Sequence, residues 1–187
     1  MNKGYKILLA ASLLSGFADN LIGSFYAVFV QGIGGSILDI GYSMTIFSIA
    51  AGILIILVGK LSDKLNKKYI TVFGYLLFSL GNLGFLVITK PYQLFMLQIV
   101  FALGVACLSG PMSSLFAQFI EKKNDGFQWS LGSGSSRIVT GLAVLAGTFI
   151  LTYAGFQTLF IIMGVLGFVA ACIQMRLNYG MEVKKDL

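Results

Sequence analysis

The distribution of apolar and polar residues divides the sequence into six long apolar runs joined by short polar segments. A helix needs about 20 mostly apolar residues to cross the hydrocarbon core of a bilayer, and every run is long enough. We therefore predict six transmembrane helices, from run 1 to run 6, at residues 7–30, 38–58, 70–89, 92–120, 127–153 and 156–176. The connections are predicted at residues 31–36, 59–69, 90–91, 121–126 and 154–155.

The composition agrees with a protein that lies within a membrane. Hydrophobic residues make up 57% of the chain and charged residues 11%, whereas a soluble domain is about half apolar and about a quarter charged. The 23 glycines are typical of membrane helices that pack closely. Only two prolines occur, which favours long and mostly uninterrupted helices.

The basic residues are distributed unevenly between the two ends of these helices. One side carries only Lys90, whereas the other carries Lys3, Lys6, Lys60, Lys64, Lys67, Lys68, Lys122, Lys123, Arg176, Lys184 and Lys185. Cytoplasmic loops carry an excess of Lys and Arg, so we predict a multi-pass protein of the cell membrane with both termini in the cytoplasm. Membrane orientation also accounts for the net charge of +6, and no nucleic-acid partner is predicted.

Side chains suited to enzyme chemistry are scarce in this sequence. It contains no histidine, and its two cysteines, Cys107 and Cys172, lie inside apolar runs without a neighbour at metal-ligand spacing. We interpret both cysteines as small core residues. The sequence also has no nucleotide-binding loop and no pair of nucleophile and base. We therefore predict that the protein is not an enzyme and has no metal site and no cofactor.

Two apolar runs carry small and polar residues at steps of three and four, which place them on one face of a helix. In run 1 they are Ser12, Gly16, Asp19, Asn20, Gly23 and Ala27, and in run 4 they are Gln98, Ala102, Ala106, Ser109, Gly110, Ser113 and Ala117. A carboxylate at the bilayer centre costs about 2.5–3.5 kcal/mol, so the Asp19 side chain is expected to face a cavity or a partner. For the run 4 stripe, close helix packing through small residues is the alternative.

Arg137 is the only basic residue that lies far inside an apolar run. It lies about ten residues into run 5, or about 15 Å, too deep to reach the membrane surface easily. Asp19, a substrate anion or water in a central cavity are the three candidate partners, and a purely structural ion pair with Asp19 is an alternative. The predicted cavity for substrate and proton coupling comprises Asp19, Asn20, Tyr26, Gln98, Ser109, Ser113 and Arg137.

An internal repeat relates the two halves of the chain. Residues 23–30 of run 1 resemble residues 113–120 of run 4, residues 81–85 of run 3 resemble residues 164–168 of run 6, and Gly52 corresponds to Gly141. Three helices per unit is an odd number, so the second unit enters the membrane inverted relative to the first. We predict one domain over residues 1–187, with repeat 1 at about 1–90 and repeat 2 at about 91–187.

The most polar interruption, residues 59–69, carries the pattern G-x-x-x-D-K-x-x-K-K. It comprises Gly59, Asp63, Lys64, Lys67 and Lys68, and it resembles the loop between helices 2 and 3 of the major facilitator superfamily. The family usually has glycine where this chain has Asn66. Asparagine tolerates a left-handed backbone, so we expect the turn to be kept. Two inverted three-helix repeats also resemble one half of a major facilitator fold.

This resemblance implies a secondary transporter whose cavity is lined by helices 1, 2, 4 and 5, with helices 1 and 5 close enough for Asp19 and Arg137 to meet. It further implies that Asp63 stabilises a cytoplasmic gate, so residues 59–68 form the predicted gating loop. Two family features are absent. Gln98 occupies the place of a helix 4 arginine linked to proton coupling, and residues 141–147 lack proline. These departures argue against drug/proton antiport and leave the substrate class open.

We therefore expect a transporter of a small solute that works by alternating access as a parallel homodimer of half-transporters, with proton coupling at Asp19. The lipid bilayer, a small-molecule substrate and a second copy of the chain are the expected partners. Two alternatives are a membrane assembly or sensor module that kept the fold without transport, and one half of a hetero-dimeric transporter.

Overall fold

The computed structural model describes residues 1–178, and all long elements in that part of the chain are helices. They are α1 (Lys3–Asn20), α2 (Tyr26–Gly32), α3 (Ile37–Ser62), α4 (Lys67–Gly84), α5 (Pro91–Phe119) and α6 (Asp125–Met175). Five stretches of these residues are long and apolar enough to cross a membrane: Lys3–Gly32, Ile37–Ser62, Lys67–Val87, Pro91–Phe119 and Lys122–Met175. The prediction of an all-α membrane protein is confirmed.

The first apolar run forms two helices instead of the single predicted one. Helix α1 ends at Asn20, a 3₁₀ turn follows at Gly23–Phe25, and α2 begins at Tyr26. The Asn20 side chain donates a 2.7 Å hydrogen bond to the carbonyl oxygen of Gly16. Such a bond competes with the helical backbone pattern, and Gly23 has a low helix propensity, so the helix is weakest at this point.

The connection between α3 and α4 is shorter than the predicted 59–69. Helix α3 starts at a capping box between Ser36 and Asp39 and continues to Ser62, and α4 starts at Lys67, which leaves only residues 63–66 between them. The turn is kept as expected, but Asn66 has φ −70° and ψ 110° and does not use the left-handed backbone that asparagine tolerates. The Asn66 side chain instead caps α4, because its Oδ1 accepts a 3.0 Å hydrogen bond from the amide of Lys68.

Helix α6 turns back at Gly155, where the sequence predicted a connection. Gly155 has φ 75° and ψ 179°, a conformation that favours glycine. It divides α6 into a first leg, residues 125–154, and a second leg, residues 156–175. Leu131 of the first leg and Ala171 of the second pack in the same cluster, although they would lie about 60 Å apart along a straight helix.

The core consists of two apolar clusters, one towards each end of the bundle. One contains Tyr5, Leu8, Leu115 and Leu177, and the other contains Leu21, Val30, Leu94, Phe85 and Phe160. Cys107 is buried as predicted, whereas Cys172 is exposed, so its interpretation as a core residue is wrong.

Helix α1 runs parallel to the first leg of α6. The Tyr5 hydroxyl donates to the carbonyl oxygen of Gln128 at the beginning of both helices, and Leu21 packs against Gly147 further along. The second leg packs against α4, where the Ser79 hydroxyl donates a 2.7 Å hydrogen bond to the carbonyl oxygen of Gly164. This register fixes the relative heights of side chains on different helices.

One end of the bundle collects the segments that carry most of the lysines. The amino group of Met1 lies 3.0 Å from a carboxylate oxygen of Glu121, and the Nζ of Lys67 donates a 2.7 Å hydrogen bond to the hydroxyl of Ser114. We call this the lysine-rich end. Lys184 and Lys185, which were predicted on the same side, lie outside the described residues.

Candidate functional site

A pocket of about 250 Å³ lies between α1, α3, α4 and α5, with one residue of α6 in its wall. Its polar lining comes from Asp19, Tyr26, Asn82 and Gln98, and half of the remaining lining residues are phenylalanines. We call it the Asp19 pocket. Asp19 lies about 16 residues from the start of the Lys3–Gly32 stretch and about 13 from its end, which places the pocket about midway across the membrane.

The carboxylate of Asp19 has two neutral hydrogen-bond donors. The hydroxyl of Ser15 lies 3.3 Å from Oδ2, and the Nδ2 of Asn82 lies 3.2 Å from Oδ1. Ser15 is one turn earlier on α1, and Asn82 reaches across from α4. Within residues 1–178 no lysine or arginine lies within ion-pair distance of this carboxylate. When Asp19 is ionised, its two hydrogen-bonded neighbours therefore stabilise the charge only as neutral groups.

A directional chain of hydrogen bonds crosses the same pocket. The Nε2 of Gln98 donates to the Tyr26 hydroxyl at 2.9 Å, and that hydroxyl lies 2.9 Å from the hydroxyl of Ser43. Because the Ser43 hydroxyl donates to the carbonyl oxygen of Ile40, its proton is already used. Tyr26 must therefore donate to Ser43. This chain fixes α2, α3 and α5 relative to one another beside Asp19.

Arg137 does not reach Asp19. It is exposed on the first leg of α6, and no ion pair joins it to a carboxylate in the described part of the chain. The contact between Leu21 and Gly147 places Asp19 level with about residue 145, so Arg137 lies about eight residues, or about 12 Å, nearer the lysine-rich end. Asp19 also faces α4. The structural ion pair between Asp19 and Arg137 that the sequence analysis considered is therefore absent from residues 1–178. The spacing of residues along one helix shows which face each residue occupies, but it does not show its position along the axis relative to a neighbouring helix.

The remaining predicted cavity residues lie outside the lining of the Asp19 pocket. The side chain of Asn20 is bonded to its own helix at Gly16. Ser113 is exposed and donates a 2.8 Å hydrogen bond to the carbonyl oxygen of Ser109, one turn earlier. Of the seven predicted cavity residues, the structure therefore brings together Asp19, Tyr26 and Gln98.

The predicted gating loop combines helix ends with a short connection. Gly59 lies within α3 and approaches α5, since a Cβ built at Gly110 would be 3.9 Å from the Gly59 Cα.

The charged residues of the predicted gating loop differ in their contacts. Asp63 and Lys64 are exposed. Lys67 bonds to Ser114 of α5, and the Nζ of Lys68 lies 5.6 Å from the centroid of the Tyr69 ring. Asp63 makes no ion pair within residues 1–178 and is free to meet a facing surface.

Sequence reasoning missed several residues of the pocket. Asn82 is the most important of them, because it binds the Asp19 carboxylate, and the aromatic side chains Phe47, Phe78 and Phe101 form much of the wall. An available signal was the presence of an asparagine inside run 3, since polar residues within membrane helices usually face a partner or a cavity. The aromatic wall gave no such signal, because phenylalanine is common throughout the apolar runs.

Comparison with known proteins agrees with the resemblance of the loop. Residues 8–179 match the family described as Major Facilitator Superfamily. The Bacillus subtilis (strain 168) protein named uncharacterized MFS-type transporter YitZ is 24% identical over 165 residues, which cover 86% of this chain and 98% of YitZ. The Buchnera aphidicola protein named uncharacterized transporter BU466 is 31% identical over 140 residues, which cover 75% of this chain but only 35% of that protein.

Proposed function

The chain belongs to the Major Facilitator Superfamily, a family of membrane transporters and not of enzymes, and we propose on this basis that it carries a small solute by alternating access. The observation that carries the proposal is the Asp19 pocket. An ionisable side chain midway across the membrane is energetically costly, and such residues usually mark an ion or solute pathway. A cavity between bundled helices is also a common place for a small-molecule site.

We propose six membrane crossings arranged as two inverted three-helix repeats, over residues 1–90 and 91–187. The turn at Gly155 supports the sixth crossing, because it makes two antiparallel legs of 30 and 20 residues from α6 (residues 125–154 and 156–175). Each leg is long enough to cross a bilayer. This arrangement corresponds to one half of a family transporter, in which the two halves are related by an axis along the membrane normal.

A parallel homodimer completes the proposed transporter. Arg137 is exposed about 18 Å into the first leg of α6, and a guanidinium facing lipid at that depth costs at least about 2.5–3.5 kcal/mol. Gly52 of α3 and Gly141 of α6 are exposed as well, with open space beside them. A second copy placed against these helices would cover Arg137 and leave it beside a shared, water-accessible cavity.

The lysine-rich end supports the proposed orientation, with both termini in the cytoplasm of a cell-membrane protein. In this orientation Asp63 faces the cytoplasmic side of the partner copy. We propose that it stabilises the closed state of that side by contacting the amino-terminal end of the partner's equivalent of residues 127–131. A carboxylate gains about 0.3–1 kcal/mol at such a helix end.

Asp19 is the proposed site of proton coupling. Its carboxylate can take and release a proton, and its hydrogen bonds to Ser15 and Asn82 can adapt to either form. Arg137 does not contact Asp19. The proposed coupling of proton movement to solute movement therefore does not use an ion pair between these two residues that forms and breaks. Solute and proton are instead proposed to use the same pocket, in which Tyr26 and Gln98 supply neutral hydrogen bonds.

Counterflow in proteoliposomes tests the proposal. Vesicles containing the purified protein are loaded with pooled metabolites, and exchange with an isotopically labelled external pool is followed by mass spectrometry. We expect at least one compound to exchange, and Asp19→Asn to abolish accumulation driven by a pH gradient. Asp125→Asn, the same change at an exposed acid of α6, serves as the matched control.

The proposal is wrong if no pool exchanges in vesicles whose protein is folded and dimeric. Native mass spectrometry in several detergents and lipids supplies that check. A monomer under all these conditions contradicts the homodimer.

A further inference from the structure

We infer that the Asp19 pocket binds a small organic cation, an ammonium group attached to an aromatic or alkyl body. This inference rests on the proposed transport function and names the substrate class of the same site. It differs from the substrate anion that the sequence analysis considered as one of three candidate partners of Arg137. Because Arg137 lies about 12 Å nearer the lysine-rich end than Asp19, the positive charge that an anion requires is not in this pocket.

The charge of the pocket is the first argument. Asp19 is the only ionisable acid or base among the residues that line it, apart from the phenol of Tyr26. Its two bound donors, Ser15 and Asn82, are neutral. When Asp19 is ionised, the described part of the pocket therefore has a net charge of −1, and a monovalent cation would neutralise it.

The hydrogen-bonding capacity of the pocket is the second argument. The hydroxyl protons of Ser15, Tyr26 and Ser43 are all donated within the protein, to Asp19, to Ser43 and to the carbonyl oxygen of Ile40. The amide nitrogens of Asn82 and Gln98 each donate as well. Within residues 1–178 the side-chain carbonyl oxygens of these two amides accept no hydrogen bond. Each amide keeps one unused N–H as well as its carbonyl oxygen, and the Asp19 carboxylate adds further acceptor sites, so the pocket offers more unused acceptors than donors. This suits a ligand that donates, as an ammonium does.

The aromatic wall is the third argument, and it distinguishes an organic cation from a metal ion. Phe47, Phe78, Phe85 and Phe101 line the pocket, and the rings of Phe78 and Phe101 lie 5.6 Å apart. Aromatic faces attract ammonium groups and cover the apolar body of a ligand. Sodium and other hard cations prefer a shell of oxygen atoms. The volume of about 250 Å³ is below the usual range for drug-sized ligands, which indicates a small amine.

Binding to protein in lipid nanodiscs tests the inference without requiring transport. Four probes are compared in potassium chloride buffer by calorimetry and thermal shift: phenethylammonium, its neutral analogue 2-phenylethanol, the anion 3-phenylpropionate, and sodium chloride alone. We expect phenethylammonium to bind most tightly. Loss of one charge-assisted hydrogen bond weakens binding by about tenfold or more. Asp19→Asn should therefore lower the affinity for phenethylammonium by at least that factor and leave the affinity for 2-phenylethanol unchanged.

A second variant keeps the test decisive if Asp19→Asn does not fold. Phe47→Leu removes one aromatic face and should lower the affinity for phenethylammonium more than the affinity for 2-phenylethanol. Phe149→Leu, the same change at an exposed position of α6, and Asp125→Asn are the matched controls and should leave all four probes unchanged.

Each other outcome overturns the inference. Tighter binding of 3-phenylpropionate shows an anion site, equal binding of 2-phenylethanol shows an apolar pocket, and an Asp19-dependent effect of sodium alone shows an inorganic cation site. Counterflow of an unrelated solute without binding of phenethylammonium would refute only the organic cation. Binding without exchange of any solute would refute transport and leave the cation site standing.

Discussion

A double-mutant cycle distinguishes the pair Asp19–Asn82 from the pair Asp19–Arg137. The single changes are Asp19→Asn, Asn82→Ala and Arg137→Gln, and each of the last two is combined with the first. The structure places the Nδ2 of Asn82 at 3.2 Å from the Asp19 carboxylate. It places Arg137 about 12 Å away along the helix axis.

The expected coupling energies follow from these separations. Two unit charges in contact at about 4 Å interact with about 4 kcal/mol at an effective dielectric constant of about 20, whereas at about 12 Å the same relation gives about 1.4 kcal/mol. Residues that share a hydrogen bond usually couple by about 0.5–3 kcal/mol. We therefore expect clear coupling between Asp19 and Asn82, and at most about 1.4 kcal/mol between Asp19 and Arg137.

The free energy of unfolding of each variant is measured in mild detergent by titration with a denaturing detergent. Added salt should abolish most of the long-range coupling between Asp19 and Arg137, because exposed charges are screened, and should change the coupling of Asp19 to Asn82 little. A salt-resistant coupling of about 4 kcal/mol between Asp19 and Arg137 would show a direct ion pair and refute this register of α1 against the first leg of α6.

Three further predictions concern stability and gating. Gly147→Ala should destabilise the protein by about 1–3 kcal/mol, because the added Cβ meets the carbonyl oxygen of Leu21; Gly141→Ala, where the space is open, should not lower the stability of the monomer and should raise it by up to about 1 kcal/mol through helix propensity. Asn66→Ala should cost about 0.5–2 kcal/mol through loss of the α4 cap, and Asn66→Gly only a few tenths; equal losses would argue against capping. Asp63→Asn should raise the labelling of cavity cysteines from the cytoplasmic side without lowering the melting temperature, and unchanged labelling would exclude a gating role.

Most of the architecture could be predicted from the sequence because apolar runs and glycine positions have direct physical consequences. The turn at Gly155 is an example: a glycine between two apolar runs supplied the positive φ that the reversal requires. Helix ends were less predictable. Gly59, Lys60, Lys67 and Lys68 are polar or small and lie near the membrane surface, yet they continue α3 and α4, because a helix in water beyond the bilayer still satisfies its own backbone.

The candidate site could be predicted only in part, because it depends on how the helices are placed against one another. The spacing of Asp19 within its apolar run correctly indicated a partner for its carboxylate, but that partner is Asn82 of α4 and not Arg137. The spacing of Ser109 and Ser113 indicated a shared helix face, and the two residues are joined by a hydrogen bond within α5. In both cases the spacing within one helix shows that residues share a face, but it does not determine which neighbouring helix that face contacts.

Accessibility of the Asp19 pocket from both membrane faces tests alternating access most directly. Gly23 lines the pocket and is exposed to it, and a Cβ there would approach only a methyl group of Val144, at 3.6 Å. Gly23→Cys is introduced into a background with Cys107 and Cys172 replaced by alanine, and a membrane-impermeant thiol reagent is applied from either side of oriented vesicles. We predict that Gly23→Cys is labelled from both sides and Asn66→Cys from the cytoplasmic side alone. Labelling of Gly23→Cys from a single side under all conditions, with added solute pools and with pH gradients of either sign, would contradict alternating access.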